Sequence, residues 1–141
     1  MKAFIVYCHP SEDSFTSHVR DSFIKGIVDS GNEYEISDLY KMNFKTDMSE
    51  QEYLRDANYR TEPEVAADVL TEQAKINSSD AIVFIYPVFW TEAPAKLVGW
   101  FDRAKASCFV IFPGMSRELD SREQDWDKNL KAAYEKGRTL F

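Results

Sequence analysis

Ala3-Phe4-Ile5-Val6-Tyr7-Cys8, stopped by His9-Pro10, is the stretch that decides the fold of this chain. An unbroken apolar run without polar alternation suits a strand buried on both faces, as in a parallel sheet. Ala81-Ile82-Val83-Phe84-Ile85-Tyr86, stopped by Pro87, repeats the pattern, and so does the run 107–112, stopped by Pro113-Gly114.

Helical patterns fill the spaces between these runs. Residues 11 to 14 are polar and acidic, a turn-and-cap signature. Phe15, Val19, Phe23 and Ile27 then recur every four residues, and Gly31 lies just past the end of that stripe. Tyr34-Glu35-Ile36-Ser37 alternates like a short edge strand. The mixed stretch 39–62 predicts a long excursion with one short helix over 49–57. Pro63 is expected to open a helix carrying Val65, Val69, Leu70 and Gln73. Pro94 is expected to start another, with Leu97, Val98 and Phe101 inward. A last helix is expected from Ser121, which has capping-box spacing to Gln124. Its apolar face is Trp126, Leu130, Ala133 and Tyr134, and Gly137 is expected to close it. Strands alternating with helices mean an α/β domain with a parallel sheet.

Composition narrows the class. The chain has 141 residues, 44% of them hydrophobic and 14% aromatic, too rich for disorder and enough for one domain over 1–141. Seventeen Lys plus Arg against 24 Asp plus Glu give a formal charge of −7, which argues against nucleic acid or an anionic membrane as partner. No run reaches the ~18 apolar residues of a membrane span. The apolar N-terminal run is too short for a signal peptide and reads as the first strand. The two cysteines, Cys8 and Cys108, sit in apolar runs and read as buried free thiols, which points to the cytoplasm. Neither a metal-binding spacing nor a GxSxG nucleophile motif is present.

In open parallel sheets, ligands bind beyond the carboxyl ends of the strands. Three loops follow the apolar runs, 9–16, 87–94 and 113–118, and each is a candidate; the first two face each other if the first and third strands are neighbours. The loop from His9 runs into a helix start with Ser14, Thr16 and Ser17, and it reads either as a phosphate site or as ordinary helix capping. The loop Pro87-Val88-Phe89-Trp90 carries aromatic sequence past its strand. It reads as a lid over the core, a surface covered by a partner subunit, or a wall for a flat aromatic ligand. His18 reads as a surface or structural residue.

Phe4 to Pro10 with Ser14-Phe15, Glu72 to Lys75, and Ser79 to Trp90 together resemble the flavodoxin-like NAD(P)H:quinone oxidoreductases. Ala93-Pro94-Ala95-Lys96-Leu97-Val98-Gly99-Trp100-Phe101-Asp102-Arg103 is similar to a helix of that family. The resemblance covers residues 1 to about 103. It implies a flavodoxin-like three-layer sandwich with sheet order 2-1-3-4-5, or 2-1-3-4 if the chain is shortened. It also implies a homodimer, FMN or FAD as cofactor, NAD(P)H as hydride donor and a quinone-like acceptor, with one pocket serving donor and acceptor in turn.

Residue by residue, the resemblance places His9, Ser14, Phe15 and Thr16 at the flavin phosphate. It places Gln73 near the distal end of an FAD, and Pro87, Val88, Phe89 and Trp90 along the flavin ring. No catalytic residue is assigned. The chain departs from the family pattern at Thr91 and Glu92. It also looks shortened at about residues 103–106, so that the 104–112 run takes the fourth-strand place and Pro113-Gly114-Met115-Ser116 a flavin-covering role. That shortening leaves a second possibility, a flavin-binding or regulatory subunit without catalysis. A one-electron carrier is the third.

Overall fold

The computed structural model describes residues 1–58, 60–90, 92–104 and 119–141, with 119–125 described as backbone only. Strand β1 (Lys2–Tyr7) is central, flanked by β2 (Glu33–Asp38) and β3 (Ala81–Ile85), both parallel to it. Val6 lies opposite Ser37 on one side and Phe84 on the other. The order 2-1-3 is the one expected. The predicted strand at 107–112, the loop at 113–116 and most of the 103–106 junction lie outside the described residues.

Ala3 to Cys8 is buried on both faces, as its unbroken apolar sequence requires. Strand side chains alternate, so β1 feeds two cores. Phe4, Val6 and Cys8 join Phe84, Leu97 and Trp100 on one face, while Ala3, Ile5 and Tyr7 join Phe23, Ile27 and Ala133 on the other. The second face is covered by α1 (Phe15–Asp29) and α5 (Leu119–Arg138); α4 (Ala95–Ala104) covers the first, with α3 (Ala67–Asn77) beside it. The excursion contains α2 (Glu50–Ala57), where predicted, with a capping box between Ser49 and Glu52. Gly31 takes φ 77° just beyond α1, the left-handed position that favours glycine.

Four details differ from the sequence reading. Helix α3 begins at Ala67, not at Pro63, because 60–64 is exposed and gains no packing by becoming helical. Val98 is 41% exposed; the buried stripe of α4 runs through Leu97, Trp100 and Ala104 instead. Helix α5 already begins at Leu119, so Ser121 is inside it and does not cap it. Gly137 is also inside α5. It does not stop the helix but permits its approach to α1: a Cβ there would lie 2.1 Å from the Phe23 carbonyl oxygen. Gly26 answers it from α1, where a Cβ would lie 2.0 Å from the Tyr134 carbonyl oxygen.

Two ionic clusters, one buried and one partly buried, tie the α3–α4 side together. Glu72 is fully buried and accepts hydrogen bonds from Trp100 Nε1 (2.9 Å), Ser37 Oγ (2.9 Å) and Lys75 Nζ (2.8 Å). Arg103 pairs with Glu52 (2.6 Å) and Asp68 (2.5 Å) and donates to the Lys45 carbonyl (2.7 Å). Together these clusters join α2, α3, α4 and β2.

Candidate functional site

The first and third strands are neighbours, so the two loops singled out in the sequence leave the sheet side by side. The Cys8 amide donates to the Ile85 carbonyl (3.1 Å), which carries the ladder to the end of both strands. Immediately beyond, the His9 ring meets the Phe89 ring at 6.2 Å between centroids, tilted by 49°. His9 and the Val88–Trp90 turn therefore form one edge of the molecule, at the carboxyl ends of the strands.

On one side of that edge stands the start of α1. Ser14 is its N-cap, with φ −143° and ψ 159°. Its hydroxyl accepts from the Ser17 amide (3.1 Å), and the Ser17 hydroxyl accepts from the Ser14 amide (3.0 Å). Of the two readings of this loop, capping is thus what the Ser14 side chain does here. The His18 amide bonds the Ser14 carbonyl (3.1 Å), which leaves the Phe15 and Thr16 amides as the helix donors without an intrahelical acceptor. These two amides, at the positive end of the helix dipole, suit an anion. His9 Nδ1 lies 2.9 Å from both the amide and the carbonyl oxygen of Ser11, so the Ser11 backbone holds the ring through that nitrogen, and Nε2 has no hydrogen-bond partner among the described residues.

Trp126 of α5 braces this helix start, with its ring 4.7 Å from that of Phe15 and 5.5 Å from that of His18. Sequence reasoning placed Trp126 on the apolar face of the last helix. It did not connect it with the first helix, since only parallel packing of the two brings them together.

On the other side is the turn after β3. Phe89 and Glu92 form an isolated antiparallel bridge, with the Glu92 amide 3.4 Å from the Phe89 carbonyl. Trp90 opens this turn at φ 57°, a left-handed conformation unusual for a bulky residue, and strain of this kind collects at functional sites. Val88, Phe89 and Trp90 are 60%, 46% and 86% exposed. They form an apolar ledge over solvent, not a lid over the core, while Pro87 is half-buried at its root.

The loop after β2 reaches the same end. Asp38 Oδ1 accepts from the Tyr40 and Lys41 amides, and Lys96 of α4 donates to the Phe44 carbonyl (2.9 Å) with its ammonium 5.4 Å from the centre of the Tyr40 ring.

Gln73 is not brought to this edge. It sits on α3 in a cleft with Ile76, Asn77 and Ala104, the last residue of α4. Cys8 is buried, and burial pushes its thiol up to about 11, so Cys8 offers no thiolate nucleophile at neutral pH. Among the described residues no group of His, Cys, Asp or Glu could hold a metal, and no described helix is long and apolar enough to cross a membrane.

These features, a helix start offering amides to an anion and an apolar ledge one strand away, belong to the flavodoxin-like class of α/β folds. The model of the family described as flavodoxin-like fold matches residues 1–122, and the chain belongs to that family. It is 30% identical to the ribosyldihydronicotinamide dehydrogenase-like protein traD of Penicillium crustosum, over 89% of this chain and 51% of that protein. It is 28% identical to human ribosyldihydronicotinamide dehydrogenase [quinone], over 80% of this chain and 55% of that protein. The chain thus spans about half the length of the curated relatives it matches. Among solved structures, an NAD(P)H:quinone oxidoreductase from Methanothermobacter marburgensis superposes with a TM-score of 0.82 at 28% identity, covering 99% of this chain and 96% of that one.

Proposed function

We propose that this chain is a flavin-dependent oxidoreductase that passes hydride from NAD(P)H to a quinone or a similar small acceptor. The observation that carries this reading is the meeting of His9 and Phe89, which joins an anion-favouring helix start to an exposed aromatic ledge. The relatives named as quinone-reducing dehydrogenases support it.

The residues present fit a flavin. A flavin has an anionic tail and a flat, largely apolar ring system, and the edge offers one partner for each. The Phe15 and Thr16 amides, the Thr16 hydroxyl and His9 Nε2 would hold the phosphate. Ser14 would act through the cap that fixes those amides. Pro87, Val88, Phe89 and Trp90 would support the ring. With FMN, Gln73, beside Ala104 and away from this edge, would have no cofactor to contact; with FAD it would have to meet the distal end.

When bound, the flavin supplies the two-electron chemistry. The tasks of the chain are to bind it, to orient one face toward the incoming reactant and to keep water off that face. The apolar ledge serves the last two tasks. A homodimer would complete the cover over Val88 to Trp90, and the reading includes one, in the cytoplasm.

Purified protein should be yellow, release FMN on denaturation and oxidise NADH or NADPH with menadione. A colourless protein that takes up neither FMN nor FAD would overturn the reading. Bound flavin without NAD(P)H turnover would leave a flavin-binding module.

A further inference from the structure

The turn that carries the aromatic ledge also carries a carboxylate. Glu92 lies directly across the antiparallel bridge from Phe89, and residues opposed in this way send their side chains to the same face. Phe89 turns its ring toward His9, so Glu92 stands on the same side of that edge. Glu92 is exposed, and no described side chain pairs with its carboxylate. The edge is therefore electrically polar: the amides of Phe15 and Thr16 offer positive potential at one end, and Glu92 sets a negative charge at the ledge.

We infer that Glu92 is a charge filter beside the aromatic ledge, favouring uncharged or cationic acceptors over anionic ones. The inference rests on the reading above and adds the electrostatic class of the acceptor. An anionic quinone approaching the ledge meets a like charge at short range, whereas a neutral quinone does not. The charge is solvated, so the discrimination is modest and falls as salt screens it.

The test compares 1,4-naphthoquinone with its 2-sulfonate on flavin-loaded wild-type protein and on the Glu92→Gln and Glu92→Lys variants. Comparing the ratio of kcat/KM values across variants cancels the difference in intrinsic reactivity of the two quinones. The expected result is a rise of about threefold to fivefold in relative preference for the sulfonate in Glu92→Gln and a larger rise in Glu92→Lys, both shrinking at ~0.5 M NaCl.

A ratio that is the same in all three proteins overturns the inference, as does a change that is insensitive to salt. Failure of the protein to hold flavin overturns the functional reading instead. In that case the same ratio, taken from quenching of tryptophan fluorescence by the two quinones on flavin-free protein, still decides the role of Glu92.

Discussion

Two neighbouring residues in one loop, His9 and Ser14, do different work. Ser14 holds the helix start through its capping box, and His9 reaches across to the ledge. The Ser14→Ala variant should lose ~1 kcal/mol of stability, read from urea denaturation, because one helix amide loses its acceptor. His9→Ala should leave the denaturation midpoint nearly unchanged, since among the described residues its nitrogen bonds only the backbone of Ser11. It should instead weaken FMN binding by about tenfold or more, the scale of a lost hydrogen bond to a charged group, as measured by quenching of FMN fluorescence. Equal losses of stability in the two variants would contradict this division of roles. The sequence displayed both residues, but which of them serves as the cap was not legible, because Ser11, Asp13 and Ser14 are all capable N-caps.

The packing of α1 on α5 depends on two glycines that local sequence rules assign otherwise. A glycine near the end of a helical pattern ordinarily reads as a stop. Gly137 is instead buried within the last turn, against the Phe23 carbonyl. Gly137→Ala should push α5 away from α1 and cost about 1–3 kcal/mol, seen as a lower thermal midpoint. The cluster around Arg103 gives the α2–α3–α4 side a pH dependence. Burial alone would raise the Glu52 carboxyl, but the Ser49 amide and hydroxyl and the Arg103 guanidinium outweigh it and hold the group at about 2. The hydrogen bond from Arg103 likewise lowers Asp68. Carboxyls depressed in the folded state contribute stability above their ordinary range, and that contribution is lost as pH falls through the folded value. The thermal midpoint should therefore drop as pH falls from the ordinary 4.5 toward about 2. Arg103→Met should flatten that drop; an equally steep acid limb in the variant would assign the pH dependence to other groups.

At the scale of the whole molecule, Val88, Phe89 and Trp90 are three successive exposed apolar side chains among the described residues, and Val98 of α4 is exposed as well. Sedimentation should show a homodimer at micromolar concentration, and Val98→Glu should shift it toward monomer, because a buried unpaired carboxylate opposes association. A wild-type chain that sediments as a monomer would leave the ledge to the cofactor alone. The sequence by itself determined the α/β class, the parallel sheet and the two loops at its edge. Apolar runs and helical stripes are local patterns whose burial leaves few alternatives, and β1 with its unbroken apolar run had to lie at the centre of a covered sheet. Tertiary structure alone decided that Phe89 meets His9, that Trp126 braces Phe15, that Gln73 sits apart, and that Gly26 and Gly137 face carbonyls instead of solvent. Each of these is a contact between segments far apart in the chain. The order of the strands and the crossing of the helices set such contacts, and no local spacing encodes them.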